Sequence, residues 1–344
     1  MSSKLESQAS SEGSMLGFMR RQFEKPKPVP DGVDLNGQVA IITGSNSGLG
    51  FEASRQFLRL GISHLIMGVR SQAKGDTAAE KLRGEFPEAT VSVWTLDMES
   101  YDSIRSFADR CQTLPRIDIV VLNAGVQKPS FATVAGTNHE AMLQVNYLST
   151  ALLAILLLPV LKSKKASAGA IRPPTLSLVG SDLAYMYPVD MDNKSPILQQ
   201  FDNPKAFDQL PTYSKTKLLV LLFVSKLADY VDPEEVLVNV TNPSMTKGTQ
   251  MFQNNPVYFQ KIMGVLNSMM GRPVEVAASN YVHSTVVLGK ESHGSFTANW
   301  TIKPYPKTWY TGKGREYLQR LWEETLGELD FCGARKLIEG LSTS

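Results

Sequence analysis

Tyr213 and Lys217 stand four residues apart at the start of the apolar run YSKTKLLVLLFVSKL, which reads as a helix over 213–230. At that spacing both side chains leave one face of the helix. An ammonium beside a phenol stabilises the phenolate and draws its pKa toward working pH. A tyrosine needs that property to exchange a proton with a substrate oxygen. A Tyr–Lys pair arises readily by chance, so its surroundings have to decide. Three polar residues fall where they would meet it. Asn123 closes one buried run as Asn123-Ala124-Gly125, Ser181 closes the next, and Asn146 lies in the helical segment between them. If the two runs are parallel strands, both end at the sheet edge where ligands sit.

A second constellation lies nearer the N-terminus. The run VAIIT (39–43) leads into Thr43-Gly44-Ser45-Asn46-Ser47-Gly48-Leu49-Gly50, and a helix opens there. Glycines let the backbone turn tightly and approach a pyrophosphate, while helix N-terminal amides favour its charge. The spacing of Gly44, Gly48 and Gly50 departs from G-x-G-x-x-G, so its place between first strand and first helix carries the reading. The next strand ends at Val69-Arg70 with Lys74 behind it, and no Asp or Glu occurs from Ile62 to Gly75. An acid there would hold the 2′-hydroxyl of NAD, whereas the arginine fork suits a 2′-phosphate, so NADP(H) is the expected cofactor.

The elements that must position these residues follow from periodicity. Apolar, β-branched runs occur at 39–43, 64–69, 90–97, 117–123, 175–181, 236–242 and 295–300. Helical patterns fall near 48–60, 73–85, 100–113, 138–161, 213–230 and 273–289. Continuous apolar strands separated by helices indicate a parallel sheet covered on both faces. The expected fold is α/β, a single doubly wound Rossmann-type domain with a seven-stranded parallel sheet.

Taken together and in this order, the T-G-x-x-x-G-x-G turn, the N-A-G strand end and the Asn146–Ser181–Tyr213–Lys217 set resemble the short-chain dehydrogenase/reductase superfamily over roughly Leu35 to Trp300. The resemblance implies hydride transfer between nicotinamide and a carbonyl or alcohol carbon. It makes Tyr213 the acid/base, and Lys217 the holder of the nicotinamide ribose that lowers the tyrosine pKa. Ser181 would bond the substrate oxygen, and Asn146 would anchor a water relaying protons from Lys217 to solvent. Asn123 would border the adenosine ribose. Asp97 would reach the adenine, although it could instead cap the helix near Ser100.

Departures from the pattern are specific. Residues 182–212 form an insert, longer than in compact members and like that of the retinol-dehydrogenase-like branch. It could wall the substrate pocket or be a surface excursion. After Pro243 the family's glycine is replaced by Ser244, which leaves Thr246 or Thr249 to meet the nicotinamide carboxamide. Residues 250–272, rich in Met and aromatics, fall where the family has a mobile lid over the substrate and suggest a lipophilic or polycyclic substrate, although such a stripe at helical spacing could instead be core. The segment 301–344 reads as an exposed stretch followed by an amphipathic helix and resembles tails of fungal members of secondary metabolism. Residues 1–36 read as an N-terminal arm, loosely packed and partly disordered, in which Met15 to Phe23 makes a short amphipathic turn or two.

Composition narrows the partners. A formal charge of +2 gives no ground for nucleic acid, and two cysteines, Cys111 and Cys332, exclude a disulfide framework. His64, His139, His283 and His293 show no metal spacing and read as surface or strand-end residues. The apolar run 151–161 is too short to span a bilayer, and the N-terminus lacks signal-peptide features. The expected setting is a reducing cytosol, and the expected partner a small molecule. The apolar helices 151–161 and 218–224 could bury against the sheet or meet partner helices in a homodimer or homotetramer. Two rival readings share the motifs: a cofactor-binding regulator or scaffold without turnover, and an enzyme of the same fold catalysing a non-redox step.

Overall fold

A computed structural model describes residues 1–168, 172–247 and 257–342. The chain opens with two helices, α1 (Glu6–Glu12) and α2 (Met15–Phe23), and then enters a regular alternation. In chain order this runs β1 (Val39–Thr43), α3 (Gly48–Arg59), β2 (His64–Val69), α4 (Gln72–Glu85), β3 (Thr90–Thr95), α5 (Tyr101–Cys111) and β4 (Ile119–Leu122). There follow α6 (Ser149–Ala168), β5 (Thr175–Val179), α7 (Ile197–Phe201), α8 (Gln209–Leu227), β6 (Leu237–Asn242), α9 (Val257–Met270) and α10 (Val274–Val282). β7 (Ser295–Ala298), β8 (Thr301–Lys303), α11 (Gly312–Glu328) and α12 (Ala334–Ser342) complete it.

The strands lie in the order β3-β2-β1-β4-β5-β6-β7-β8, and the first seven are parallel. The doubly wound Rossmann-type sheet read from the sequence is therefore present, with one correction. An eighth strand turns back through Asn299 and Trp300 and pairs antiparallel with β7. Every residue of β1, β4, β5 and β6 is buried, as strands covered on both faces require. One core lies between the sheet and α5, α6, α8 and α11, the other beneath α3, α4 and α10. The order of strand addition reverses between the parallel neighbours β1 and β4, which opens a crevice at the carboxyl edge where the glycine turn and Asn123 emerge.

Both termini differ from expectation. The N-terminal arm is not loose: Ser2 is buried and its amide donates to Ser295 Oγ at 3.2 Å, and Arg21 of α2 is buried as well. The C-terminal segment expected to be exposed buries Tyr305 and Trp309, whose indole donates to Ser225 Oγ at 3.0 Å. Trp322 of α11 stacks on Phe223 and Tyr230, so these helices complete the core over α8. Aromatic side chains separated by short polar spacers look exposed in sequence because their partners lie on distant elements. The helical stretch Leu143–Lys165 is longer than the run 151–161 and apolar enough to cross a membrane, yet 89% of its most apolar window is buried in the fold. His283 is no surface residue either; it is buried in the turn after α10, its Nε2 3.0 Å from the Lys27 carbonyl.

Candidate active site

The glycine turn is held by its own backbone demands. Gly44 adopts φ +68°, and a Cβ there would lie 3.0 Å from Ala124 Cα, so strand exits β1 and β4 touch only because the side chain is absent. At Gly50 a Cβ would meet the Gly44 carbonyl and Asn123 Nδ2, each at 2.6 Å. Gly48, at φ +57°, faces open space. Ser45 is buried and donates to the Ile42 carbonyl at 2.9 Å, while Asn46 and Leu49 are half-buried along the turn. Ser47 caps α3 by position but makes no side-chain capping bond, which leaves first-turn amides for an anion. This donor set fits a dinucleotide pyrophosphate.

Asn123 joins the turn to the sheet. Its Nδ2 donates to the carbonyls of Thr43 and Gly44 at 2.9 and 3.3 Å, and its Oδ1 accepts from the Tyr281 hydroxyl at 2.9 Å. Arg70 leaves the end of β2 with its side chain 67% exposed and a guanidinium nitrogen 3.8 Å from Glu99, which also meets Lys128 at 3.7 Å. Asp97 does not cap α5. Ser100 does so, accepting from the Ser103 amide, and Asp97 Oδ1 accepts from the Glu99 amide at 3.0 Å in a local turn.

At the other end of the crevice, four polar residues from three segments converge. Ser181 follows β5 with its Oγ accepting from the Leu183 amide at 3.2 Å, and its hydroxyl lies near enough to the Tyr213 phenol of α8 to influence it. Burial pushes the Tyr213 phenol up to about 12, with the Ser181 hydroxyl opposing. Lys217, one turn on, lies 5.8 Å from the Tyr213 ring centroid and donates to the Val179 carbonyl at 2.8 Å. Burial lowers its ammonium to about 8. Desolvation, and not the lysine, thus sets the direction at Tyr213 here.

Asn146 sits in a π-helical turn, Leu143–Leu148, that precedes α6. Its Oδ1 accepts from the Val126 amide at 2.8 Å, and its Nδ2 donates to the Val126 carbonyl at 2.9 Å and to Thr216 Oγ1 at 3.2 Å. It therefore clamps the loop after Gly125 to α8, and Gly125 passes so close that a Cβ would lie 3.6 Å from Lys217 Nζ. π-turns recur at functional sites because they re-aim side chains out of the helical register.

Beyond β6, Ser244 occupies the left-handed region at φ +68°, the conformation a glycine would take without strain. Its amide donates to Asn242 Oδ1 at 3.1 Å and its hydroxyl to Asn299 Oδ1 at 3.0 Å. Thr246 is buried, donates to the Ser244 carbonyl at 3.0 Å and bridges to Arg272. Thr249 and residues 250–256 of the expected lid lie outside the described residues. Sequence reasoning missed Tyr281, which gives no local signal, and Gln127. The Gln127 amide is buried two residues after Gly125 and has no protein partner among the described residues.

Comparison with known proteins bears on this geometry. A short chain dehydrogenase family model matches residues 38–172, which span the glycine turn, Asn123 and Asn146. The chain is 56% identical to the short chain dehydrogenase virL of Hypocrea virens, over the full length of both chains. The chain belongs to the short-chain dehydrogenase family. A second family member, the short chain dehydrogenase/reductase mfmJ of Annulohypoxylon moriforme, is 47% identical over 94% of each chain. Among solved structures, L-sorbose reductase from Gluconobacter frateurii, complexed with NADPH and L-sorbose, superposes with a TM-score of 0.57 at 18% identity. It covers 78% of this chain and 97% of that one. This short-chain dehydrogenase is accordingly an oxidoreductase of a nicotinamide-using family, and the two relatives just named are fungal.

Proposed function

We propose that this short-chain dehydrogenase is an NADP(H)-dependent oxidoreductase acting on a carbonyl or alcohol carbon of a lipophilic or polycyclic small molecule, in fungal secondary metabolism. The observation that carries the reading is the contact between Ser181 and Tyr213 with Lys217 one turn away, at the carboxyl edge of β5. Bound NADPH would supply the hydride to the substrate carbon. The amides opening α3 and Arg70 would hold its phosphates, with Asn123, Asp97 and Thr246 along its path.

The chain's own residues do the rest. Ser181 and Tyr213 present two hydroxyls to one substrate oxygen. Tyr213 donates its proton to that oxygen as negative charge develops there, and Ser181 stabilises the charge by hydrogen bonding. A phenol pushed up to about 12 by burial stays protonated at neutral pH, the form that carbonyl reduction needs. Lys217, held near 8, remains largely an ammonium at neutral pH and stabilises the phenolate left behind. Asn146 keeps the loop after Gly125 against α8, so that this constellation does not spread.

The test is NADPH fluorescence and oxidation by the purified protein, wild type beside Tyr213→Phe, against a panel of aromatic and lipophilic ketones. Binding by both proteins with turnover only by the wild type is the expected result. Binding without turnover by either would favour a regulator that keeps the fold, and absence of NADPH and NADH binding would overturn the reading.

A further inference from the structure

The N-terminal helix α2 ends against three chain segments that leave the carboxyl edge of the sheet beside Ser181 and Tyr213. Arg21, whose side chain is 1% exposed, directs Nε to Asp182 Oδ1 at 3.0 Å, and Asp182 directly follows Ser181. Its Nη1 reaches Glu12 Oε2 at 2.7 Å, and the guanidinium lies 5.2 Å from the Tyr185 ring centroid. Gln22 donates to Asp182 Oδ2 at 3.4 Å and accepts from the Met245 amide, just after β6, at 3.2 Å. The Arg21 carbonyl accepts from Asn299 Nδ2, in the β7–β8 turn, at 2.6 Å and from the Arg272 guanidinium. Arg272 also donates to the Glu24 carbonyl at 2.8 Å.

A guanidinium buried this completely loses its hydration and is stable only with its carboxylates in place. Asp182, 4% exposed, depends on it in turn, whereas Glu12, 6% exposed, also meets Arg20 and, at 3.8 Å, Lys303. The buried Arg21–Asp182 pair therefore sets where the chain runs immediately after Ser181. Gln22 extends the same tie to the exit of β6. The family match begins only at residue 38, so the general fold does not account for the arm's position.

We propose that Arg21 and Gln22 are positioning residues for the active site. By locking Asp182 and the Met245 amide, they hold Ser181 and the segment after β6 in register for proton and hydride transfer. The proposal rests on the oxidoreductase reading above for its catalytic part.

The test uses the full chain with Arg21→Gln, Arg21→Lys and Gln22→Leu, the last being the mildest and the least prone to misfold. Turnover number, KM, NADPH affinity and melting temperature are measured for each beside the wild type. The expected result is a fall in kcat of about ten- to a hundredfold for Arg21→Gln, since small displacements near reacting groups cost that much. Arg21→Lys restores part of the loss, and NADPH affinity falls less than kcat, because the glycine turn that would hold the phosphates shares no partner with the arm. Unchanged kcat in folded variants would overturn the proposal. So would losses of kcat and NADPH affinity in equal proportion, which mark a general loss of fold. Amide exchange at 181–186 and 243–247 provides a reading independent of turnover. Faster exchange there in Arg21→Gln and Gln22→Leu supports the tie, and unchanged exchange refutes it. If the wild type turns over no substrate, the oxidoreductase reading fails and the exchange result alone decides the positioning.

Discussion

The Tyr281 hydroxyl donates to Asn123 Oδ1 at 2.9 Å, tying α10 to the point where β4 opens onto the crevice. Asn123 in turn donates to the Thr43 and Gly44 carbonyls, so one side chain joins β1, β4 and α10. Tyr281→Phe keeps the ring's packing but strands a carboxamide oxygen. The expected cost is about 1–3 kcal/mol in urea unfolding, the penalty for a buried polar group without its partner. NADPH affinity should fall with it, because the glycine turn loses its brace. Equal stability of the variant and the wild type would show that water replaces the hydroxyl.

Arg70 offers the test of cofactor choice. It is exposed at the end of β2 and only loosely paired with Glu99 at 3.8 Å, so it is free to meet a phosphate. Arg70→Ala should raise the KM for NADPH by about tenfold or more while leaving that for NADH nearly unchanged, as loss of one charge-assisted contact predicts. Steady-state kinetics with both cofactors checks this. Parallel changes for the two would remove Arg70 from 2′-phosphate recognition.

Ser244 separates backbone strain from side-chain bonding. At φ +68° any Cβ is disfavoured, and the hydroxyl partly offsets this through Asn299 at 3.0 Å. Ser244→Ala keeps the strain and loses the bond, whereas Ser244→Gly loses both. The glycine variant should therefore be the more stable of the two by about 1 kcal/mol, read by thermal or urea unfolding. Alanine as the better substitute would mean that the turn has relaxed out of the left-handed region.

His139 predicts a pH dependence of stability. Its Nδ1 lies 2.8 Å from Asp202 in the insert and its Nε2 3.4 Å from Glu328 of α11. The hydrogen bond to Asp202, followed by that to Glu328, raises the imidazolium to about 9 from the ordinary 6.5. A base whose folded pKa is raised contributes stability that is fully present below the unfolded value and is lost as pH climbs through the folded one. The melting temperature should thus fall from about pH 6.5 to 9 for the wild type, and less steeply for His139→Gln. The same cluster ties the insert 182–212 near Asp202 to α11 through His139, so it is not a free surface excursion there.

Local rules settled much of this protein in advance. Alternating buried strands and amphipathic helices follow from periodicity, and the glycine turn follows from the φ values and close approach that only glycine allows. Tyr213 and Lys217 share a face because they stand four apart, and Ser181 and Asn123 end adjacent strands, so their meeting at one sheet edge was legible. Only the tertiary structure decided the rest. Arg21 and Asp182 are 161 residues apart, and their pairing depends on desolvation when α2 docks, which no spacing encodes. Trp309 looks exposed in sequence and is buried because α8 presents its complement at Ser225. The balance at Tyr213 was equally out of reach: whether a lysine or burial governs a phenol depends on distance and dielectric, and both are properties of the packed site.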